Sequence, residues 1–156
     1  MQKKNSFTIQ EAQKKLEHYC AYQERCHWEV EQKLKEIEMI PAAQELIISK
    51  LIEENYLNES RFAQSFARGK FRIKKWGKQR IIRELKAKKI SPYNIKLALK
   101  EISESDYQST FYSLFEKRKE SVRNNSISIQ KKKILTFMVY RGWETHLIYT
   151  ALNENF

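Results

Sequence analysis

The chain has 156 residues, 41% of them hydrophobic and 31% charged, with a mean hydropathy of −0.72 and a formal net charge of +11. That length is enough to bury a real core, yet no run approaches the roughly 20 apolar residues of a membrane span. The opening stretch MQKKNSFTIQEAQKK also lacks the apolar segment of a secretion signal, so a cytoplasmic protein with no membrane partner is expected. Cys20 and Cys26 are too few for a disulfide scaffold and are expected as reduced, half-buried thiols. With His18 and His27 they contain no C-x2-C or H-x3-H pair, so no metal is expected either.

Three glycines and two prolines leave little room for strands joined by tight turns, and the chain reads as all-α. Leu34 to Leu51 overlays Leu85 to Ile102 at an offset of 51, and Ile81 to Leu99 overlays Ile134 to Leu152 at an offset of 53. Three tandem units follow, 1–58, 59–105 and 106–156, each long enough for three short helices. In chain order the helices are expected near 9–23, 28–38 and 41–55, then 59–75, 78–89 and 92–104, then 106–122, 128–141 and 144–154. The repeat register aligns Val30, Ile81 and Ile134; Leu34, Leu85 and Met138; Met39, Ile90 and Trp143; and Ile48, Leu99 and Leu152 as core positions. An elongated, curved array of three-helix units is the expected architecture, present as a monomer.

Local signals punctuate the same plan. Ser91 before Pro92 is an N-cap followed by proline at the first helical position, and Asn55 stands where a helix end wants a left-handed residue. Gly77 separates two basic helices, and Gly142 precedes the last one.

The charge is concentrated. Residues 68 to 100 hold thirteen Lys or Arg against a single acid, Glu84, whereas the segments on either side nearly balance. Ordinary surfaces intersperse both signs, so this run points to a polyanion or a strongly acidic protein surface as partner. In the helix from residue 59, Phe62, Phe66, Gly69, Ile73 and Trp76 recur at spacings of 4, 3, 4 and 3 and read as its core stripe, with Gly69 allowing a close helix approach. Phe71 falls about 180° from Phe62 at 100° per residue, among cations. It has two readings: packing against a neighbouring unit, or a partner-facing ring that stacks on a base or anchors an interface. In the next helix Ile81, Ile82 and Leu85 form the apolar face while Arg80 and Arg83 point away. The clusters at 117–119 and 131–133 have neighbouring acids or apolar residues, and solvation accounts for them.

Catalysis is not expected. No G-x-x-x-x-G-K loop is present, Asp106 is the one aspartate, and no serine, cysteine or histidine stands in a nucleophile–base pattern. No cofactor is expected.

Residues 56–63 (YLNESRFA), Gly69-Lys70-Phe71-Arg72, Trp76-Gly77 and the run RIIRELKAKKI at 80–90 resemble the signature of the RecX family of bacterial regulators, most strongly over 51–102. The resemblance implies tandem three-helix repeats and a non-enzymatic role: lying along the RecA–DNA filament and restraining ATP hydrolysis and strand exchange, hence recombinational repair and the SOS response. On that reading the RecA- or DNA-binding surface is Arg68, Lys70, Phe71, Arg72, Lys74, Lys75, Lys78, Arg80, Arg83 and Lys86. The partner is the RecA filament, with single-stranded or duplex DNA phosphates as further contacts. Where the family has glycine in its K-G-[IF] turn this chain has Glu38 and Lys89, keeping only Gly142, so differently shaped helix ends are expected at the first two. A direct DNA-binding helical protein without a RecA partner is the rival reading, and an inert scaffold with a basic patch is the third.

Overall fold

The computed structural model describes residues 6–156, so the first five residues of the opening stretch, and of the 1–58 unit, lie outside it. Among the described residues there are nine helices and no strand: α1 (Ile9–Tyr22), α2 (His27–Glu36), α3 (Pro41–Glu53), α4 (Glu59–Lys74), α5 (Lys78–Ala87), α6 (Pro92–Leu99), α7 (Glu104–Ser121), α8 (Ile127–Tyr140) and α9 (Thr145–Asn155). They form the expected tandem groups of three. None is long and apolar enough to cross a membrane.

Side-chain caps set many of the helix starts. The Thr8, Asn58, Ser91, Ser103 and Ser126 side chains each accept a backbone N–H from the first turn of the helix they precede. The middle helix of every unit ends in one recurring device. After α2, Met39 N donates to Leu34 O and Glu38 N to Lys35 O; after α5, Ile90 N donates to Leu85 O and Lys89 N to Lys86 O. After α8, Trp143 N donates to Met138 O and Gly142 N to Val139 O. This pairing is a Schellman end, which places the penultimate residue in the left-handed region and brings its successor back onto the helix. Two of the four aligned core sets are therefore one motif, since Leu34, Leu85 and Met138 accept from Met39, Ile90 and Trp143. The expected difference in helix ends is absent. Glu38 (φ 62°) and Lys89 (φ 63°) adopt the same left-handed backbone as Gly142 (φ 91°), and Asn55 (φ 64°) does so after α3.

Val30, Ile81 and Ile134, and Leu34, Leu85 and Met138, are fully buried, as their shared register predicts. The fourth set is displaced by one residue: Ile48 and Leu99 are only partly buried, whereas Ile47, Ala98 and Ala151 are enclosed beside Leu152. One core, around Leu16, Val30, Leu34, Ile47 and Leu51, belongs to α1–α3. A second runs without interruption through α4–α9, from Phe62 and Ile81 to Met138, Trp143 and Ile148, and reaches back to Cys26.

The face of α4 departs from the sequence reading. Its buried residues are Phe62, Ala63, Ala67 and Phe71, while Ile73 is 77% exposed. No atom of another element lies near the place a Gly69 side chain would occupy, so that glycine marks no close approach. Alanines make the approach instead: Ala63 and Ala67 share the core with Ala98 of α6, the helix with which α4 packs most extensively.

Candidate partner-binding surface

The residues of the family-like signature 56–63 hold helices together. Glu59 Oε2 accepts from Asn94 Nδ2 at 2.5 Å and Ser91 N at 3.4 Å, joining the starts of α4 and α6. Arg61 faces the other way. Its Nε donates to Glu24 Oε2 at 2.8 Å, and its terminal nitrogens donate to Asn55 Oδ1 and to the carbonyls of Asn55 and Tyr56. Four acceptors on one planar guanidinium fix the first unit against the second. Lys88 adds an ion pair to Glu29 at 3.7 Å.

At the junction of the second and third units the backbone itself is engaged. Gly77 N donates to Arg141 O at 2.8 Å and Gln79 N to Gly142 O at 3.0 Å. Lys78 N donates to the Tyr107 hydroxyl at 2.8 Å, and that hydroxyl donates to Glu144 Oε1. The N-terminal N–H groups of α5, which no intrahelical carbonyl can satisfy, thus find acceptors in the third unit. Burial, reinforced by the bond to Glu144, keeps the Tyr107 hydroxyl protonated well above the ordinary tyrosine range. A Cβ on Gly77 would sit 2.4 Å from Gly142 O, and one on Gly142 would sit 2.2 Å from Arg80 Cβ. Both positions therefore require glycine. Trp143 completes the joint, donating from Nε1 to Lys75 O at 3.1 Å and stacking on Tyr107 at 4.5 Å.

Against this frame the ten residues assigned to a binding surface divide. Phe71 is corrected: it is 7% exposed and packs 6.0 Å from Tyr107 in the continuous core, so it joins the second and third units instead of facing a partner. Arg68 pairs with Glu101 at 3.4 Å, and Lys70 lies over the Trp76 ring at 5.0 Å. Lys78 lies over Tyr107 at 4.4 Å and near Glu104 at 3.8 Å, while Arg80 is sandwiched between Trp76 at 4.2 Å and Tyr140 at 4.8 Å. These four cations are partly buried, Arg68 and Lys70 within the second unit and Lys78 and Arg80 at its joint with the third. The other five, Arg72, Lys74, Lys75, Arg83 and Lys86, are exposed, and no carboxylate among the described residues lies within ion-pair distance of them.

The sequence reading passed over a second basic locus, where α7 and α8 meet. Arg141 lies 3.8 Å and Arg118 5.0 Å from the centre of the Phe137 ring. Burial, followed by the neighbouring charges of Arg80 and Arg118, lowers the Arg141 pKa from its ordinary value. Arg118, Lys132 and Lys133 belong to charge clusters visible in the sequence, but only the fold brings them to one groove with Phe137 and Tyr140.

Cys20 and Cys26 are both buried, and desolvation pushes each thiol up to about 11, which keeps them protonated and unreactive at neutral pH. Among the described residues no three His, Cys, Asp or Glu side chains are grouped as a metal site would require.

Residues 58–99 match the model of the RecX second three-helix domain. The chain is also similar to the solved RecX of Lactobacillus salivarius, with a TM-score of 0.80 and 25% identity over 94% of this chain and 95% of that one. Together these matches support a RecX-family protein. A second solved structure, a regulatory protein RecX, shares the fold with a TM-score of 0.83 at 22% identity, over 94% of this chain and 73% of that one. Regulatory proteins RecX of Bacillus cytotoxicus and Bacillus mycoides are each 27% identical over 94% of the chain. The chain spans about half, 54%, of the length of these curated relatives. The family-model match covers α4, α5 and α6, the unit that holds Arg72, Lys74, Lys75, Arg83 and Lys86.

Proposed function

We propose that the protein is a non-enzymatic regulator of the RecA recombinase, which binds the RecA–DNA filament and restrains its ATP hydrolysis and strand exchange. Through that restraint it acts on recombinational repair and the SOS response. The observation that carries this reading is the coincidence, in one unit, of the RecX second-domain match with Arg72, Lys74, Lys75, Arg83 and Lys86, exposed and without carboxylate partners. Cations left unpaired on a rigid helical frame are free to exchange counterions for phosphates or acidic side chains of a partner. Arg68, Lys70, Lys78 and Arg80 support that surface by fixing the frame beneath it.

The test is a titration of RecA ATPase on single-stranded DNA. A filament regulator suppresses hydrolysis at concentrations far below those that coat the DNA, and a variant with Arg72, Lys75, Arg83 and Lys86 changed to Ala loses suppression while its melting temperature is kept. Suppression that begins only at stoichiometric coverage of the DNA would favour the DNA-binding rival, in which the protein competes for the strand.

A further inference from the structure

The groove between α7 and α8 is concave, cationic and apolar at once. A cavity of about 590 Å³ is bordered by Arg118, Lys132, Lys133 and Arg141, with Phe137 and Tyr140 in its wall. A second cavity of about 300 Å³ shares Arg118, Phe137 and Arg141 with the first and adds Lys117. No carboxylate among the described residues is within ion-pair distance of these cations. The Nε of Arg118 is buried without an acceptor. Tyr140 is 68% exposed and Ile129 46% exposed at the rim.

We infer that this groove of the third unit binds a single-stranded nucleic acid, with phosphates on Arg118, Lys132, Lys133 and Arg141 and an unpaired base against Tyr140. The chemistry of each part selects that ligand. Guanidiniums held over the Phe137 ring, at 3.8 Å for Arg141 and 5.0 Å for Arg118, present N–H donors that suit planar or tetrahedral oxyanions. The exposed aromatic and aliphatic rim offers a flat apolar surface, which a bare phosphate would not use and a stacked base would. Two adjacent cavities with a common cationic wall suit a ligand that repeats its anion along a chain. A duplex holds its bases inside its own stack, so it has none to place on Tyr140. An acidic peptide would find cationic side chains but no open strand edge with which to pair its backbone, since the described residues form no strand.

The test uses the full chain and a labelled oligothymidylate, read by fluorescence anisotropy without RecA, so its outcome is independent of the filament reading. The variant Arg118→Gln with Lys132→Gln and Lys133→Gln is expected to bind at least about tenfold more weakly in moderate salt. Its slope of log K against log salt should be shallower by about 2, three contacts at about 0.7 each for a single strand. Because Arg118 packs on Phe137, the Lys132→Gln, Lys133→Gln pair on its exposed side chains serves as the folding-neutral version, with a slope shallower by about 1.4. Tyr140→Leu is expected to lose about tenfold in affinity for oligothymidylate and nothing for inorganic polyphosphate. Unchanged binding by the lysine pair overturns the site. Competition by duplex DNA or by polyglutamate as effective as by oligothymidylate overturns the ligand class.

Discussion

Between the first and second units the contacts are made by side chains: the fork of Arg61 on Glu24, Asn55 and Tyr56, and the pair of Lys88 with Glu29. Between the second and third units they are made by the main chain, with Gly77 and Gln79 bonded to the turn after α8, and by a core with no break from α4 to α9. Apart from the packing of Cys26 in the second core, the first kind of joint depends on charge and geometry at a few long side chains, and that part weakens as salt screens them. The second depends on shape, because two of the chain's three glycines meet where any side chain would collide with the opposing backbone or Cβ. The molecule thus has one joint that ionic conditions can loosen and one that they cannot.

Substitutions in each joint test that contrast. The largest effect is expected at Phe71. Phe71→Ala opens a cavity between the second and third units and should destabilise by about 3–5 kcal/mol in chemical denaturation. A melt within a few degrees of wild type would mean that the ring is not enclosed. Gly142→Ala comes next. It combines a backbone angle that side chains rarely adopt with a collision against Arg80, and a loss on the order of 3 kcal/mol is expected at any salt concentration.

Arg61→Gln should cost less, about 1–2 kcal/mol, because both members of its ion pair are about a third exposed. Its cost should shrink as salt is raised, and a salt-independent loss would contradict the ionic character of that joint. The smallest effect has the opposite sign. Lys89 holds a left-handed backbone with an exposed side chain, so Lys89→Gly relieves strain and should stabilise by up to about 1 kcal/mol. An equal gain is not available at Gly142, where the same backbone already carries glycine.

The helix count among the described residues, the helix limits to within about two residues except the end of α6, expected near 104 and found at Leu99, and the buried positions Val30, Leu34, Ile81, Leu85, Ile134 and Met138 were legible in the sequence, because branched and long aliphatic residues recur there at helical spacing. The face of α4 was not. Its stripe was anchored on Ile73 and Trp76, but the helix stops at Lys74 and Lys75 turns left-handed, so Trp76 lies beyond the range where 100° per residue applies. The true face is marked by Ala63 and Ala67, small residues whose weak hydrophobic signal concealed them between the phenylalanines. Of the basic surface, the sequence showed where the charge is dense but not which cations are engaged. Arg68, Lys78 and Arg80 have partners distant in sequence at Glu101, Tyr107 and Tyr140. The α7–α8 groove was invisible for the same reason, since its cations belong to two helices and a turn.

The capping of α5 by the third unit also bears on the order in which the chain acquires its structure as it is made. The first unit has its own closed set of apolar contacts and can consolidate once residue 57 has emerged. The second unit cannot do the same: its α5 start still awaits Tyr107 and Gly142, and Phe71 awaits Tyr107. Synthesis proceeds at roughly 5–20 residues per second, so α4–α6 spend several seconds outside the ribosome with an apolar flank uncovered. A chain ended after Lys100 is expected to keep α1–α3 protected from amide exchange while α5 exchanges freely, and equal protection of α5 would show that the second unit closes by itself. The electropositive helix α5 is therefore among the later parts of the molecule to become rigid, and it does so only when Tyr107 and the turn at Gly142 arrive.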